Sequence, residues 1–221
     1  MFDNILHQER TVASLMDDLA GACLPQALLF HGPDYAGKLS TALELARVLS
    51  CQVAGAPWGC GCNSCTQHKN LVSPYLMMLG QRYFKREIRA CGAALQADCR
   101  EGTRFLLVRS VRKLLKRFDP ILMEGETKLP AAIKLIEKLE EKLDPFLPDR
   151  PTLAPHETGE ILDEVYKLCD SLVDLMPQDG LSIAMIAPSH GQVYDKPDWI
   201  VAATRQWATG APANLVVLPF V

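Results

Sequence analysis

The sequence predicts an α/β protein that carries a cysteine-rich module and a long helical insertion. Three observations support this fold class. A short apolar run, a glycine-containing loop and an amphipathic helix follow one another between residues 27 and 51. Four of the eight cysteines lie within residues 51–65. From about residue 82 to residue 176, apolar residues recur at helical spacing between proline-rich breaks.

The composition is that of an ordinary globular protein. The chain has 221 residues, of which 48% are hydrophobic and 22% charged. No apolar run reaches the roughly 18 residues needed to span a membrane. The first residues, "MFDNILHQER", lack the basic and then apolar segments of a signal peptide. We therefore expect a cytoplasmic protein without a membrane partner, and in a reducing compartment clustered cysteines favour a metal over disulfides.

Three elements are predicted around the glycine loop. Residues 3–23 are expected to contain a first helix, and Ala27–Phe30 a short buried strand. A further helix follows the loop, and "SPYLMML" is a second candidate strand. The apolar face of the first helix comprises Val12, Leu15, Met16 and Leu19, and that of the second Leu39, Ala42, Leu43, Ala46 and Leu49.

The loop "GPDYAGKL" resembles the phosphate-binding pattern G-x-x-x-x-G-K-[ST]. Gly32, Gly37 and Lys38 match the pattern, but Leu39 replaces the hydroxyl residue that holds magnesium, and Tyr35 takes a position that is often glycine. Backbone N–H groups at a helix N-terminus and the lysine can bind phosphate. The pattern therefore predicts a P-loop that binds ATP or ADP weakly and does not hydrolyse it. The alternative is a glycine turn with a solvent-exposed lysine.

The cysteine cluster has the spacing C-x8-C-x-C-x2-C. Four thiolates can surround zinc tetrahedrally and leave no open position, which is typical of a structural site. The alternatives are buried free thiols, or His68 in place of one cysteine, although a lone histidine in a polar loop is more often solvated. The predicted metal ligands are Cys51, Cys60, Cys62 and Cys65, and the remaining cysteines, Cys23, Cys91, Cys99 and Cys169, are interpreted as packing residues.

Charge is distributed unevenly along the helical stretch. Residues 81–117 carry a net charge of +8 and residues 118–180 a net charge of −9. The basic part could contact nucleic acid phosphates, but pairing with the acidic helices that follow is favoured. The stretches "FLLVRSVRKLLKRF", "LPAAIKLIEKLEEKL" and "ETGEILDEVYKLCDSLVDLM" predict an antiparallel helical insertion.

Residues 1–79 resemble the AAA+ subunits of bacterial DNA polymerase III clamp loaders, the gamma/tau and delta-prime family. The resemblance rests on "FDNILHQERTVASL", "LPQALLFHGPDYAGK", "ALELARVLSC", the cysteine cluster and "HKNLVSPYLMML", and "LSIAMI" is similar to a sensor motif of that family. It implies a P-loop formed by Gly32, Pro33, Gly37 and Lys38. It also implies a structural zinc on the four clustered cysteines.

Leu39 favours the delta-prime branch of this family, whose members tolerate a degraded P-loop and do not hydrolyse ATP. The resemblance then implies a non-catalytic subunit of a DNA-directed DNA polymerase holoenzyme, with no catalytic residues of its own. Its partners would be other clamp loader subunits in a hetero-oligomeric ring and, through that assembly, the sliding clamp and primed DNA. The alternatives are a gamma/tau-like ATPase and a zinc-stabilised helical adaptor without nucleotide.

The expected organisation has three segments. Residues 1–79 form the N-terminal part of an incomplete P-loop AAA+ type core, including the zinc module at 51–65. Residues 80–180 form a helical insertion without a counterpart in that core. Residues 181–221 return partly to the core, but the acid-ended strand, the lid and the collar of the family are missing. We therefore expect a truncation or a frameshift near Ala187.

Overall fold

The computed structural model describes residues 1–25, 27–33, 36–79, 84–119, 123, 127–148, 150–176, 183–186 and 214–217. The chain divides into two compact units. Residues 1–80 and 180–221 form one, which we call the sheet unit, and residues 81–179 form the other, the helical unit. Each unit has its own hydrophobic core. None of the helices in the described ranges is long and apolar enough to cross a membrane.

In the described ranges, the sheet unit combines three helices, α1 (Glu9–Ala20), α2 (Lys38–Ser50) and α3 (Asn63–Lys69), with a four-stranded sheet formed by β1 (Ala27–Phe30), β2 (Leu76–Leu79), β3 (Ile183–Ile186) and β4 (Asn214–Val217). Its strands are in the order β1-β4-β3-β2. Strand β1 is antiparallel to β4 and β2 is antiparallel to β3, whereas β3 and β4 are parallel. The sheet is therefore mixed.

Both strands predicted from the first 80 residues are confirmed, but the burial expected for β1 is wrong. Leu28 and Phe30 pack against the apolar clusters of the unit, while Leu29 between them is 61% exposed. Alternate side chains of a strand point to opposite faces of the sheet. One face of β1 is therefore covered and the other is not. Strand β4 was not predicted, and the rest of the final segment, Ala187 included, lies outside the described residues.

The apolar face predicted for α2 is confirmed. Ala42, Leu43 and Ala46 are buried in one cluster, and Leu39 and Leu49 pack against it. The cluster is completed by Leu71, Leu76 and Met78, so that α2 packs against β2 and the segment before it. On the shorter helix α1, Leu15 is buried as expected, but Met16 is 43% exposed because it lies at the margin of the apolar face.

In the described ranges, the helical unit contains the three helices that the quoted stretches predict, α5 (Glu101–Leu115), α6 (Leu129–Leu143) and α7 (Pro155–Leu175), and a fourth, α4 (Phe84–Ala97), that was not predicted individually. Its core is built from one face of each helix, with short 3-10 turns after α5 and α6. Helices α6 and α7 carry proline in their first turn, where its missing N–H costs nothing.

Ion pairs join the basic and acidic parts of the helical unit, as predicted. Lys85 Nζ lies 3.4 Å from Asp174 Oδ1, and Arg89 Nη2 lies 2.9 Å from Asp170 Oδ2. Because the later residue of α4 pairs with the earlier residue of α7, these two helices are antiparallel. A third pair joins α5 to α6, with 3.2 Å between Arg112 Nη2 and Glu140 Oε2. The two pairs between α4 and α7 are largely exposed, and pairs of this kind each contribute about 1 kcal/mol or less to stability.

Gly92 allows α4 and α7 to approach closely. A Cβ atom at this position would lie 1.9 Å from the Oη atom and 2.9 Å from the Cζ atom of Tyr166. The Tyr166 ring packs against the core of the unit and lies 5.7 Å beneath the guanidinium group of Arg89. Glycine within a helix costs about 1 kcal/mol relative to alanine. The close packing of Tyr166 against α4, which glycine makes possible, offsets that cost.

We predict that Gly92→Ala lowers the free energy of unfolding of the helical unit by about 1–2 kcal/mol, because overpacking of this size outweighs the gain in helix propensity. Urea unfolding followed by far-ultraviolet circular dichroism measures the change. Gly102→Ala is the matched control, because a Cβ atom there meets nothing within 4 Å. It should leave stability unchanged or raise it. Equal behaviour of the two variants would contradict the role given to Tyr166.

Candidate metal centre and phosphate loop

The four clustered cysteines come together at the C-terminal end of α2. Cys51 is the C-cap of α2, and Cys62 is the N-cap of α3. The Sγ atoms of Cys51, Cys60, Cys62 and Cys65 all lie within 4.8 Å of one another, and those of Cys51 and Cys60 are 3.8 Å apart. Tetrahedral zinc with Zn–S bonds of about 2.3 Å requires sulfurs about 3.8 Å apart. The donor set and its geometry therefore fit a structural zinc.

Backbone N–H groups point at three of the four sulfurs. The N–H of Val53 donates to Cys51 Sγ at 3.4 Å, and that of Cys62 donates to Cys60 Sγ at 3.5 Å. The N–H of Cys65 donates to Cys62 Sγ at 3.4 Å. Cys60 and Cys65 are buried, whereas Cys51 and Cys62 are half-buried. Donors aimed at sulfur favour the thiolate form, which is the form that binds metal.

The side chain of Arg47 supplies the donor to the fourth sulfur. Its Nη1 atom donates to Cys65 Sγ at 3.0 Å and to the carbonyl oxygen of Pro57 at 3.3 Å. Its Nη2 atom donates to the carbonyl oxygen of Ala56 at 2.7 Å. The Nε and Nη2 atoms also bind the Glu44 carboxylate, at 2.9 and 2.6 Å. Five bonds match the five N–H donors of arginine, so this buried cation is saturated.

Two of the thiols have opposite shifts in pKa. Backbone N–H groups of Gln52 and Cys65 lower the pKa of the Cys62 thiol to about 6. Burial raises the pKa of the Cys65 thiol to about 12, although Arg47 opposes that shift. Metal binding requires thiolates. Zinc binding at neutral pH would therefore displace a proton from Cys65.

Two expectations about His68 and the cysteines outside the cluster are wrong. His68 is not solvated. It is buried, and its Nε2 atom lies 3.2 Å from Ser73 Oγ. Cys23 was expected to pack, but it is exposed. The packing interpretation is confirmed for the other three cysteines outside the cluster, since Cys169 is buried in the core of the helical unit and Cys91 and Cys99 pack against it.

The glycine loop leads directly into α2. Gly32 and Gly37 have φ values of +153° and +75°, which favour glycine, and Gly37 is the N-cap of α2. The Nζ atom of Lys38 donates to the carbonyl oxygens of Gly32 and Pro33 at 2.8 and 2.7 Å. The lysine therefore lies over the loop. Tyr35 lies outside the described residues.

The position of the missing hydroxyl is occupied by a packing residue. Leu39 is half-buried against the apolar cluster shared by α2 and β2. The nearby hydroxyl of Thr41 is buried and donates to the carbonyl oxygen of Gly37 at 3.2 Å. Thr41 lies two positions after Leu39, so its side chain points roughly 200° away around the helix. In this arrangement Leu39 stabilises the fold and offers no oxygen to a metal.

Two features of the metal centre were not apparent from the sequence pattern. Glu44 and Arg47 are charged residues three positions apart in α2 and are both buried, although their spacing is also that of ordinary surface pairs. Helix α3 is only seven residues long, Asn63–Lys69, and its sequence lacks an apolar face. Its N-cap is a cysteine, which propensity rules do not count among capping residues.

We predict that purified protein holds about one zinc per chain and that Cys62→Ser releases it, because a structural site needs all four thiolates. Loss of metal should also make residues 51–70 sensitive to proteolysis, since binding and local folding are coupled. Elemental analysis and limited proteolysis measure the two effects. Cys23→Ser is the matched control and should retain the metal. A metal-free wild-type protein from reducing, chelator-free preparations would contradict the prediction.

Comparison with known proteins places these features in a family. Residues 7–143 match the family model described as DNA polymerase III, delta subunit, and this range includes the glycine loop, the cysteine cluster and helices α4 to α6. Protein STICHEL-like 3 of Arabidopsis thaliana is 38% identical over 68 residues, which are 30% of this chain but only 6% of that protein. No solved structure matches the chain significantly. Because the family model matches more than half of the residues, the chain belongs to the DNA polymerase III delta subunit family of clamp loader proteins.

Proposed function

We propose that this chain is a delta-prime-like subunit of the DNA polymerase III clamp loader, a non-hydrolysing scaffold that helps to load the sliding clamp onto primed DNA. The observation that carries the proposal is the packing of Leu39 against the apolar cluster of α2 and β2. In a complete P-loop this position provides a hydroxyl ligand to magnesium. Without this hydroxyl, the magnesium ion of bound Mg-ATP lacks one of the protein ligands on which hydrolysis depends.

The remaining parts of the loop support weak phosphate binding. Gly37 begins α2, whose N-terminal amides carry partial positive charge, and Lys38 is adjacent. To reach a phosphate, Lys38 would have to exchange its bonds to the carbonyl oxygens of Gly32 and Pro33. We therefore expect weak, magnesium-independent binding of ATP or ADP. The proposed partners are the other subunits of a clamp loader ring and, through them, the sliding clamp and primed DNA.

We predict no steady-state ATP turnover by the wild-type protein above the level of Lys38→Ala. Leu39→Thr should strengthen magnesium-dependent nucleotide binding slightly, because it restores the ligand, yet should not create turnover. Leu49→Thr is the matched control, since Leu49 packs against the same cluster at the other end of α2. Turnover by the wild-type protein that disappears in Lys38→Ala would instead identify a gamma/tau-like ATPase.

The assembly itself is tested by native co-purification of the tagged full chain from its own cells, followed by mass spectrometry. We expect recovery of clamp loader subunits at comparable stoichiometry. Lys38→Ala should recover them equally well, because a scaffold does not need hydrolysis to assemble. Recovery of no clamp loader subunit would favour the zinc-stabilised adaptor over the scaffold.

A further inference from the structure

The hydrogen bonds around the cysteine cluster distinguish one sulfur from the other three. Cys51, Cys60 and Cys62 each accept a bond from a backbone N–H at 3.4–3.5 Å. Cys65 Sγ accepts its bond at 3.0 Å from the side chain of Arg47. A backbone donor is preserved by most substitutions, whereas a side-chain donor depends on the residue present. The donor to Cys65 is therefore the one that a single substitution can remove.

We propose that Arg47 is a positioning residue of the metal centre, which sets its zinc affinity through the thiolate of Cys65. The inference rests on the proposed structural zinc. Four thiolates around Zn²⁺ carry a net charge of −2, and hydrogen bonds to the sulfurs stabilise that charge in a partly buried site. The guanidinium group supplies both a hydrogen bond and a positive charge.

Arg47 also holds the cysteine loop in place. It binds the carbonyl oxygens of Ala56 and Pro57, which lie between the first and second ligands of the cluster. The Glu44 carboxylate accepts two hydrogen bonds from the guanidinium group and so fixes its orientation. Both side chains are almost fully buried. Arg47 has few alternative rotamers in these surroundings. Its contact with Cys65 is therefore pre-organised before the metal binds.

The test compares two variants that differ only at position 47 and that both lack the buried Glu44 carboxylate. Glu44→Gln removes the carboxylate charge and retains Arg47 beside Cys65, and serves as the reference. Glu44→Gln combined with Arg47→Met removes the donor as well, without a lone buried carboxylate. Lys69→Met controls for loss of a nearby cation, because Lys69 donates to the carbonyl oxygen of Cys60 and lies 5.0 Å from the Trp58 ring.

Zinc affinity is measured by competition with a chromophoric chelator, and the sulfur environment by the thiolate-to-metal charge-transfer bands of the cobalt(II)-substituted protein. The double variant should bind zinc about 10- to 100-fold more weakly than Glu44→Gln. Its charge-transfer bands should shift to lower energy, because a thiolate without its donor is more easily oxidised. Lys69→Met should match the wild type in band position. Affinity and bands unchanged between the double variant and Glu44→Gln would overturn the inference.

A second measurement needs no substitution and remains informative if the double variant does not fold. In ¹¹³Cd-substituted wild-type protein, a side-chain proton of Arg47 should show scalar coupling to the metal across the N–H···S bond. Absence of this coupling, with couplings from the Val53 and Cys62 backbone amides present, would overturn the inference. Wild-type protein that takes up neither zinc nor cadmium would instead refute the proposed metal centre, which separates the two failures.

Discussion

The buried pair of Glu44 and Arg47 is the interaction on which the sheet unit depends. Their side chains are 0% and 1% exposed, so both charges have lost their water. Desolvation of this kind is offset only when every donor and acceptor is satisfied. Arg47 uses all five of its donors, and Glu44 also accepts the N–H of Phe2 at 3.2 Å. Removing one partner of such a pair costs about 3–5 kcal/mol. Through the bonds to Phe2, Ala56 and Pro57, the pair links α2 to the N-terminal residues and to the cysteine loop.

Helix α2 connects the two candidate sites of the unit. It begins at the glycine loop, with Gly37 as its N-cap, and ends at Cys51, the first ligand of the cluster. Its 13 residues span about 20 Å. One face packs on β2, while another presents Glu44 and Arg47 to the N-terminal segment and the cysteine loop. The position of the cluster relative to the glycine loop is therefore fixed by a single rigid element.

The elements that follow from apolar periodicity could be predicted from the sequence, whereas features that depend on distant partners could not. The face of α2 and the helices α5 to α7 were confirmed because one buried stripe is enough to define each of them. The cysteine cluster was visible because its residues are close in sequence. The burial of Arg47 and of His68 was not visible, because each is satisfied by groups that only the fold brings near. The exposure of Leu29 was not predicted either, because an apolar run in the sequence does not reveal that one face of the strand is uncovered.

The position of Cys65 in the first turn of α3 explains why its sulfur takes a side-chain donor. The N–H of Cys62 donates to the sulfur of Cys60, and Cys62 Sγ in turn caps α3 by accepting the N–H of Cys65. Cys65 then lies inside the first turn of α3, and the next N–H, that of Thr66, is committed to the carbonyl oxygen of Cys62. This nearest backbone donor is no longer available to the sulfur of Cys65. The donor comes instead from 18 residues earlier in the chain, where Arg47 is held by Glu44 on α2.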